Sequence, residues 1–299
     1  MSLLPAVLAH LSGCVLFQPA GIDCAAGEDC LADTHLPDTD PQDSDPQDTN
    51  PPVGDPELGG WAVSLSSDLS TRMLTELPVG GAPTLLGKQE IELAFALQDD
   101  SHLAGVLEDG AIYDLGAGVQ LGQLPLGPQD VTRVNGQLIV GTQTNLYRNN
   151  NGVVTQISGV SFGELLHVHH DGAQGLYVVD YEDGSLRLLQ GTSDGWTVLQ
   201  RYDTSRTRTT DLFLGQGGQP MVCDVGGNAR SIEALAGGDT DPWLAPTDIL
   251  GDIVACGWDP GSQELVLLSR GRGLLRVDRE GIIVSEQAIE GTVLAGVFL

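Results

Sequence analysis

The sequence predicts an all-β protein: a six-bladed β-propeller closed by its own C-terminal strand and preceded by a disordered acidic tether. Three observations predict it. Short β-rich runs recur at a propeller-like period. A further apolar strand precedes all but the first of them. The one strand missing at the start of the series stands at the end of the chain.

The clearest unit is Leu165 to Leu189, LLHVHHDGAQGLYVVDYEDGSLRLL. It reads as three strands, at Leu166 to Val168, Leu176 to Asp180 and Ser185 to Leu189. Asp171-Gly172 and Asp183-Gly184 supply the φ > 0 positions that tight turns need. A lone meander of this size cannot bury both faces, so copies of it are required nearby. Runs resembling its middle strand begin at 61, 103, 138, 176, 220 and 265, at intervals of 42, 35, 38, 44 and 45 residues. Four short strands per unit at that period are a propeller signature. Innermost strands are expected just before these runs, at Leu93 to Leu97, Val131 to Val134, Leu165 to Val168, Asp211 to Leu214 and Ile253 to Cys256. The run at Trp61 has only a Pro/Asp spacer before it. Val293 to Leu299 supplies its missing strand, which closes the ring and removes the open edge. The 40 Gly and 16 Pro, with no long apolar run at period 3.6, agree with an all-β chain.

Charge excludes one class of function. The formal charge is −28, and residues 1–71 hold 12 acids and no Lys or Arg, which leaves −16 for the remainder. Such a field repels phosphate backbones, so nucleic acid is not an expected partner. Solubility is the expected use of the acidity.

Three segments follow from the chain order: a signal peptide at 1–13, a Cys-containing acidic disordered tether at 14–57 and the propeller at 58–299. Leu3 to Leu11 is a short apolar run, too short to span a bilayer, and suits a signal-peptide core. It ends in Leu11-Ser12-Gly13-Cys14, which resembles the lipobox of bacterial lipoproteins. That resemblance implies that the Cys14 thiol is lipidated and becomes the first mature residue. Cys24 and Cys30 are expected to form a local disulfide in an exported chain. Asp38 to Pro52, DTDPQ-DSDPQ-DTNPP, has no apolar residue to drive packing and reads as an extended, solvated spacer. This layout resembles surface lipoproteins of Gram-negative bacteria, the myxobacterial type especially. It implies an exported monomer held in the cell envelope, at the outer membrane, with membrane contact through the lipid alone.

The candidate chemistry lies in the blades. Glu92, Asp130, Glu164, Asp211 and Asp252 each stand next to an innermost strand, with Glu290 a little earlier in the sixth. In register they would ring one mouth of the channel and recruit a cation such as calcium. The plainer reading is that they cap turns. LYVVD with its Gly turn and SLRLL resembles NHL-type and gluconolactonase-type six-bladed propellers. That resemblance implies a channel metal held by Glu, Asn and Asp, but no Asn falls at the inner positions here. His167 and His169 share a strand face by alternation and could share a ligand, with His170 on the other face. The other reading is half-buried polar residues at a blade edge. Cys223 and Cys256 fall on adjacent blades, as a disulfide or as two buried thiols. No G-x-S-x-G, H-E-x-x-H or phosphate-cradling loop is present. The expected role is therefore recognition of a protein or glycan through one propeller face, with no cofactor required. The alternative is a metal-dependent lactonase or esterase with a carboxylate-lined channel.

Overall fold

The computed structural model describes residues 59–298, apart from 79–80, 100–101, 158, 160, 173–174, 193–194, 203–208, 232–243 and 247–251. The signal segment, Cys14, Cys24, Cys30 and the tether lie outside the described residues.

Six antiparallel sheets form a closed ring. Blade 1 holds β1 (Gly60–Leu65), β2 (Arg72–Leu77) and β3 (Thr84–Gln89). Blade 2 holds β4 (Leu93–Gln98), β5 (Leu103–Leu107), β6 (Ala111–Asp114) and β7 (Val119–Gln123). Blade 3 holds β8 (Pro128–Val134), β9 (Gln137–Thr142), β10 (Leu146–Asn150) and β11 (Val153–Gln156). Blade 4 holds β12 (Leu165–His170), β13 (Leu176–Glu182), β14 (Ser185–Thr192) and β15 (Gly195–Tyr202). Blade 5 holds β16 (Thr209–Leu214), β17 (Pro220–Asp224) and β18 (Ala229–Ser231); beyond β18 the described residues show only the bridge between Ala229 and Leu244. Blade 6 holds β19 (Ile253–Asp259), β20 (Glu264–Ser269), β21 (Gly273–Val277) and β22 (Ile283–Gln287).

The last strand, β23 (Thr292–Phe298), pairs with β1, from Gly60 opposite Phe298 to Leu65 opposite Thr292. It is the innermost strand of blade 1, so the C-terminus closes the ring as the sequence predicts. The innermost strands β23, β4, β8, β12, β16 and β19 touch in turn around the axis.

Hairpin chemistry sets the blades. Asp183 and Gly184 both have positive φ, at 52° and 82°, in the two-residue turn that pairs Glu182 with Ser185. The Asn-Gly pairs 135–136 and 151–152 do the same, and their φ values match the right-handed strand twist.

Among the described residues the core is six separate apolar clusters, one at each contact between neighbouring blades. Blade faces are buried on both sides, so middle strands read as continuous apolar runs. In β20, Leu265 and Leu267 face blade 5, whereas Val266 and Leu268 face blade 1. Each such side chain stabilises by about 1.5–3 kcal/mol on burial. Cys223 of β17 and Cys256 of β19 are joined as a disulfide, with Cα atoms 6.5 Å apart, and so tie blade 5 to blade 6.

Candidate functional site

One feature repeats in all six innermost strands and decides what the channel contains. Each strand carries one extra residue against its partner: Ala94, Gln129, Leu166, Thr210, Val254 and Leu294. Such a bulge bends the strand and re-aims the following side chain. The next residue in the three central blades is Asp130, His167 and Asp211. The matching residues elsewhere are Phe95, Ala255 and Ala295. Three consecutive blades thus place three polar groups in one layer.

The donor atoms of Asp130, His167 and Asp211 all lie within 4.8 Å of one another. Asp130 accepts the N–H of Val131 at 2.8 Å and, from blade 4, the N–H of Val168 at 2.8 Å. Asp211 repeats this one unit later, accepting Leu212 at 2.7 Å and, from blade 6, Cys256 at 2.8 Å. Each carboxylate therefore joins its own blade to the next. His167 sets Nε2 at 3.2 Å from the Thr209 hydroxyl and Nδ1 at 3.9 Å from Asp130 Oδ2.

Burial dominates the electrostatics. It pushes Asp130 up to about 7, against the pull of its two backbone N–H bonds. Asp211 is held well above the usual carboxylate range, by burial first and by the Asp130 charge second. Burial also brings His167 and His169 down to about 4 each. The layer therefore favours neutral forms, and a charge placed there needs a counter-charge.

The ring of five carboxylates expected from the sequence does not form. Glu92, Glu164 and Asp252 stand three residues before the position of Asp130 and Asp211 and are exposed. Their carbonyls accept the N–H of Glu108, Tyr181 and Arg270 from the adjoining strand. The Asp252 side chain lies 3.5 Å from Arg270. These three acids are turn residues at one mouth, whereas Asp130 and Asp211 lie inside the channel. Glu290 is also exposed, and its carbonyl accepts the Ser64 hydroxyl. His167 and His169 both face the channel, but at different depths: His167 meets Asp130 and His169 lines the opposite mouth. His170 faces that mouth as well.

Two mouths flank the polar layer. On the side where the innermost strands begin, a cavity of about 750 Å³ is floored by the bulge residues Leu166, Thr210, Val254 and Leu294, with Glu164, Asp252 and Arg270 around it. On the side where they end, a cavity of about 480 Å³ is lined by His169, His170, Phe213, Gln216, Trp258 and Phe298, among others. Its volume falls in the range of ligand sites, and its lining mixes aromatic surface with a few polar tips. A second recess of about 360 Å³ shares His169, His170 and Phe298 with it and adds Arg133. Between mouth and polar layer the space narrows to about 10 Å³, bordered by Asp130, His169, Asp211 and Phe298. The aromatic members went unpredicted, although His170, Trp258 and Phe298 share one register position, three past the residue that follows each bulge.

Comparison with known proteins shows the fold. The chain is similar to one from a nidogen–laminin complex, with TM-score 0.58 and 8% identity over 80% of this chain and 98% of that one. It is equally similar to a protein of unknown function from Bacteroides caccae, with TM-score 0.56 and 10% identity over 81% and 98%. No protein-family model matches the chain, and no curated protein matches it in sequence. At these identities the likeness is one of architecture, and chemistry must be read from the residues themselves.

Proposed function

We propose that this chain is a lipid-anchored binding protein of the cell envelope. It recognises a protein or glycan through the propeller mouth built by His169, His170, Phe213, Gln216, Trp258 and Phe298. The cavity of about 480 Å³ between these residues carries the reading. It takes one terminal sugar or one large side chain, with apolar surface for contact and amide and imidazole tips for hydrogen bonds. Leu11-Ser12-Gly13-Cys14 supports the anchor, and the Asp/Pro spacer would hold the propeller off the membrane while raising its local concentration. The hydrolase alternative has less support. Its carboxylates divide between an exposed turn position and a half-buried layer inside the channel, and the gap of about 10 Å³ beside that layer is too small for an ester.

The test is binding of purified mature protein to arrayed envelope glycans and proteins, beside a Gln216→Trp variant. Gln216 is exposed at the rim, so Trp there should fill the mouth without touching the core. A ligand that weakens more than tenfold on that change supports the site. Chelator-sensitive turnover of lactones or aryl esters would replace it with the hydrolase reading. For the anchor, Cys14→Ala should move the protein out of the membrane fraction. An unmodified wild-type chain beginning at Met1 by intact mass would refute it.

A further inference from the structure

The polar layer is chemically distinct from the mouth and has its own use. We propose that Asp130, His167 and Asp211 bind one divalent cation of the zinc type, which pins blades 3, 4 and 5 together at the channel axis.

Four observations lead there. The first is spacing. The three donor atoms lie within 4.8 Å of one another, and tetrahedral ligands at zinc distances sit roughly 3.4 Å apart. Small side-chain rotations close the difference.

The second is that His167 and Asp130 do not satisfy one another. His167 Nδ1 stands 3.9 Å from Asp130 Oδ2, beyond hydrogen-bond reach. An imidazole and a carboxylate in direct contact would close to roughly 2.8 Å.

The third is the outer shell. Metal-binding imidazoles and carboxylates are usually oriented by hydrogen bonds on their other atoms. Here the other nitrogen of His167 meets Thr209, and every oxygen of both carboxylates accepts one backbone N–H. Each oxygen keeps a second lone pair for the ion.

The fourth is the space beside them. The gap of about 10 Å³ between the two carboxylates and His169 fits one water, which would complete four-coordination.

The donor set also chooses among ions. Calcium takes six to eight oxygens. The other three blades offer Phe95, Ala255 and Ala295 at this level, so no further side-chain oxygen comes from those positions. One imidazole and two carboxylates suit zinc instead. The ion would supply the counter-charge that two adjacent, half-buried carboxylates lack. It would not hydrolyse anything there, because the gap excludes a substrate. The inference is therefore independent of the ligand bound at the mouth.

The test uses full-length mature protein without an affinity tag, stripped with chelator. Zinc uptake is measured by equilibrium dialysis in excess magnesium, which saturates weak sites on the acidic segments. One zinc per chain should be retained, with a rise in melting temperature that calcium does not reproduce. His167→Gln leaves both inter-blade carboxylates in place and should fold, yet lose more than tenfold in zinc affinity. Unchanged affinity in that variant, or no uptake above the magnesium background, overturns the proposal. Crystals of wild-type protein soaked in zinc give a second readout that needs no variant. An anomalous peak within about 2.0–2.2 Å of the three donors supports the site. Its absence there refutes the site even if zinc binds elsewhere.

Discussion

Ending the chain at Gly291 tests ring closure. The deletion removes β23, and with it the innermost strand of blade 1. Three of its side chains are buried: Val293, fully, and Val297 and Phe298 at 6% and 8% exposure. At about 1.5–3 kcal/mol each, their loss amounts to about 5–9 kcal/mol. The six paired positions along β1 would also lose their partner, leaving an open edge on a hydrophobic strand. Stability margins of folded domains are about 5–15 kcal/mol, so the truncated chain should unfold or aggregate. Phe298→Ala is the graded version. It should cost about 3–5 kcal/mol. For a domain of this size that lowers the melting temperature by roughly 6–20 °C. Differential scanning calorimetry and size-exclusion chromatography read both outcomes. A soluble, monomeric chain ending at Gly291 that melts within about 2 °C of wild type would refute the closure argument.

Two further predictions concern the channel. The Cys223–Cys256 bond spans 33 residues, and chain-entropy reasoning gives it about 3–4 kcal/mol, so Cys223→Ala should lower the melting temperature by roughly 6–16 °C. Equal melting of that variant and the oxidised wild type would contradict this. In chelator-treated protein, stability should depend on pH through four channel groups. Asp130 is raised to about 7, so its contribution is present below about pH 4 and lost as pH rises through 7. His167 and His169 are lowered to about 4, so theirs is present above about pH 6.5 and lost as pH falls through 4. Asp211, also raised, opposes the histidines over the same interval. Below about pH 6.5 the carboxylates and the histidines oppose one another, and from there through about pH 7 stability falls as Asp130 ionises. Thermal melts across pH check it, and a rise in stability above pH 7 would contradict the assigned directions.

Much of the fold is legible in the sequence because its causes are local. Leu176 to Val179 and Leu265 to Leu268 are continuous apolar runs since both blade faces are buried. Asp183-Gly184 announces its own turn through φ. Closure by Val293 to Leu299 follows from counting strands, and β23 is where that count puts it. The bulge is different. One extra residue at Gln129 or Thr210 leaves composition and period unchanged, yet it decides which acid enters the channel. Without it, Glu92 and Asp130 look equivalent; with it, one stands exposed at the mouth and the other bonds across to Val168. The partners of His167 come from the preceding and following blades, so no local spacing reveals them. The mouth aromatics Phe213, Trp258 and Phe298 read as ordinary core from sequence, and mostly they are buried. Only the meeting of three strand ends shows the cavity they line.

Ligand binding at the His169–Trp258–Phe298 mouth is tested most directly by crystallography. Crystals of the propeller soaked in mono- and disaccharides and in short aromatic peptides should show density in the cavity of about 480 Å³, against Trp258, His170 and Gln216. Probes that collect only at the opposite mouth, around Leu166, Val254 and Leu294, would contradict the assignment.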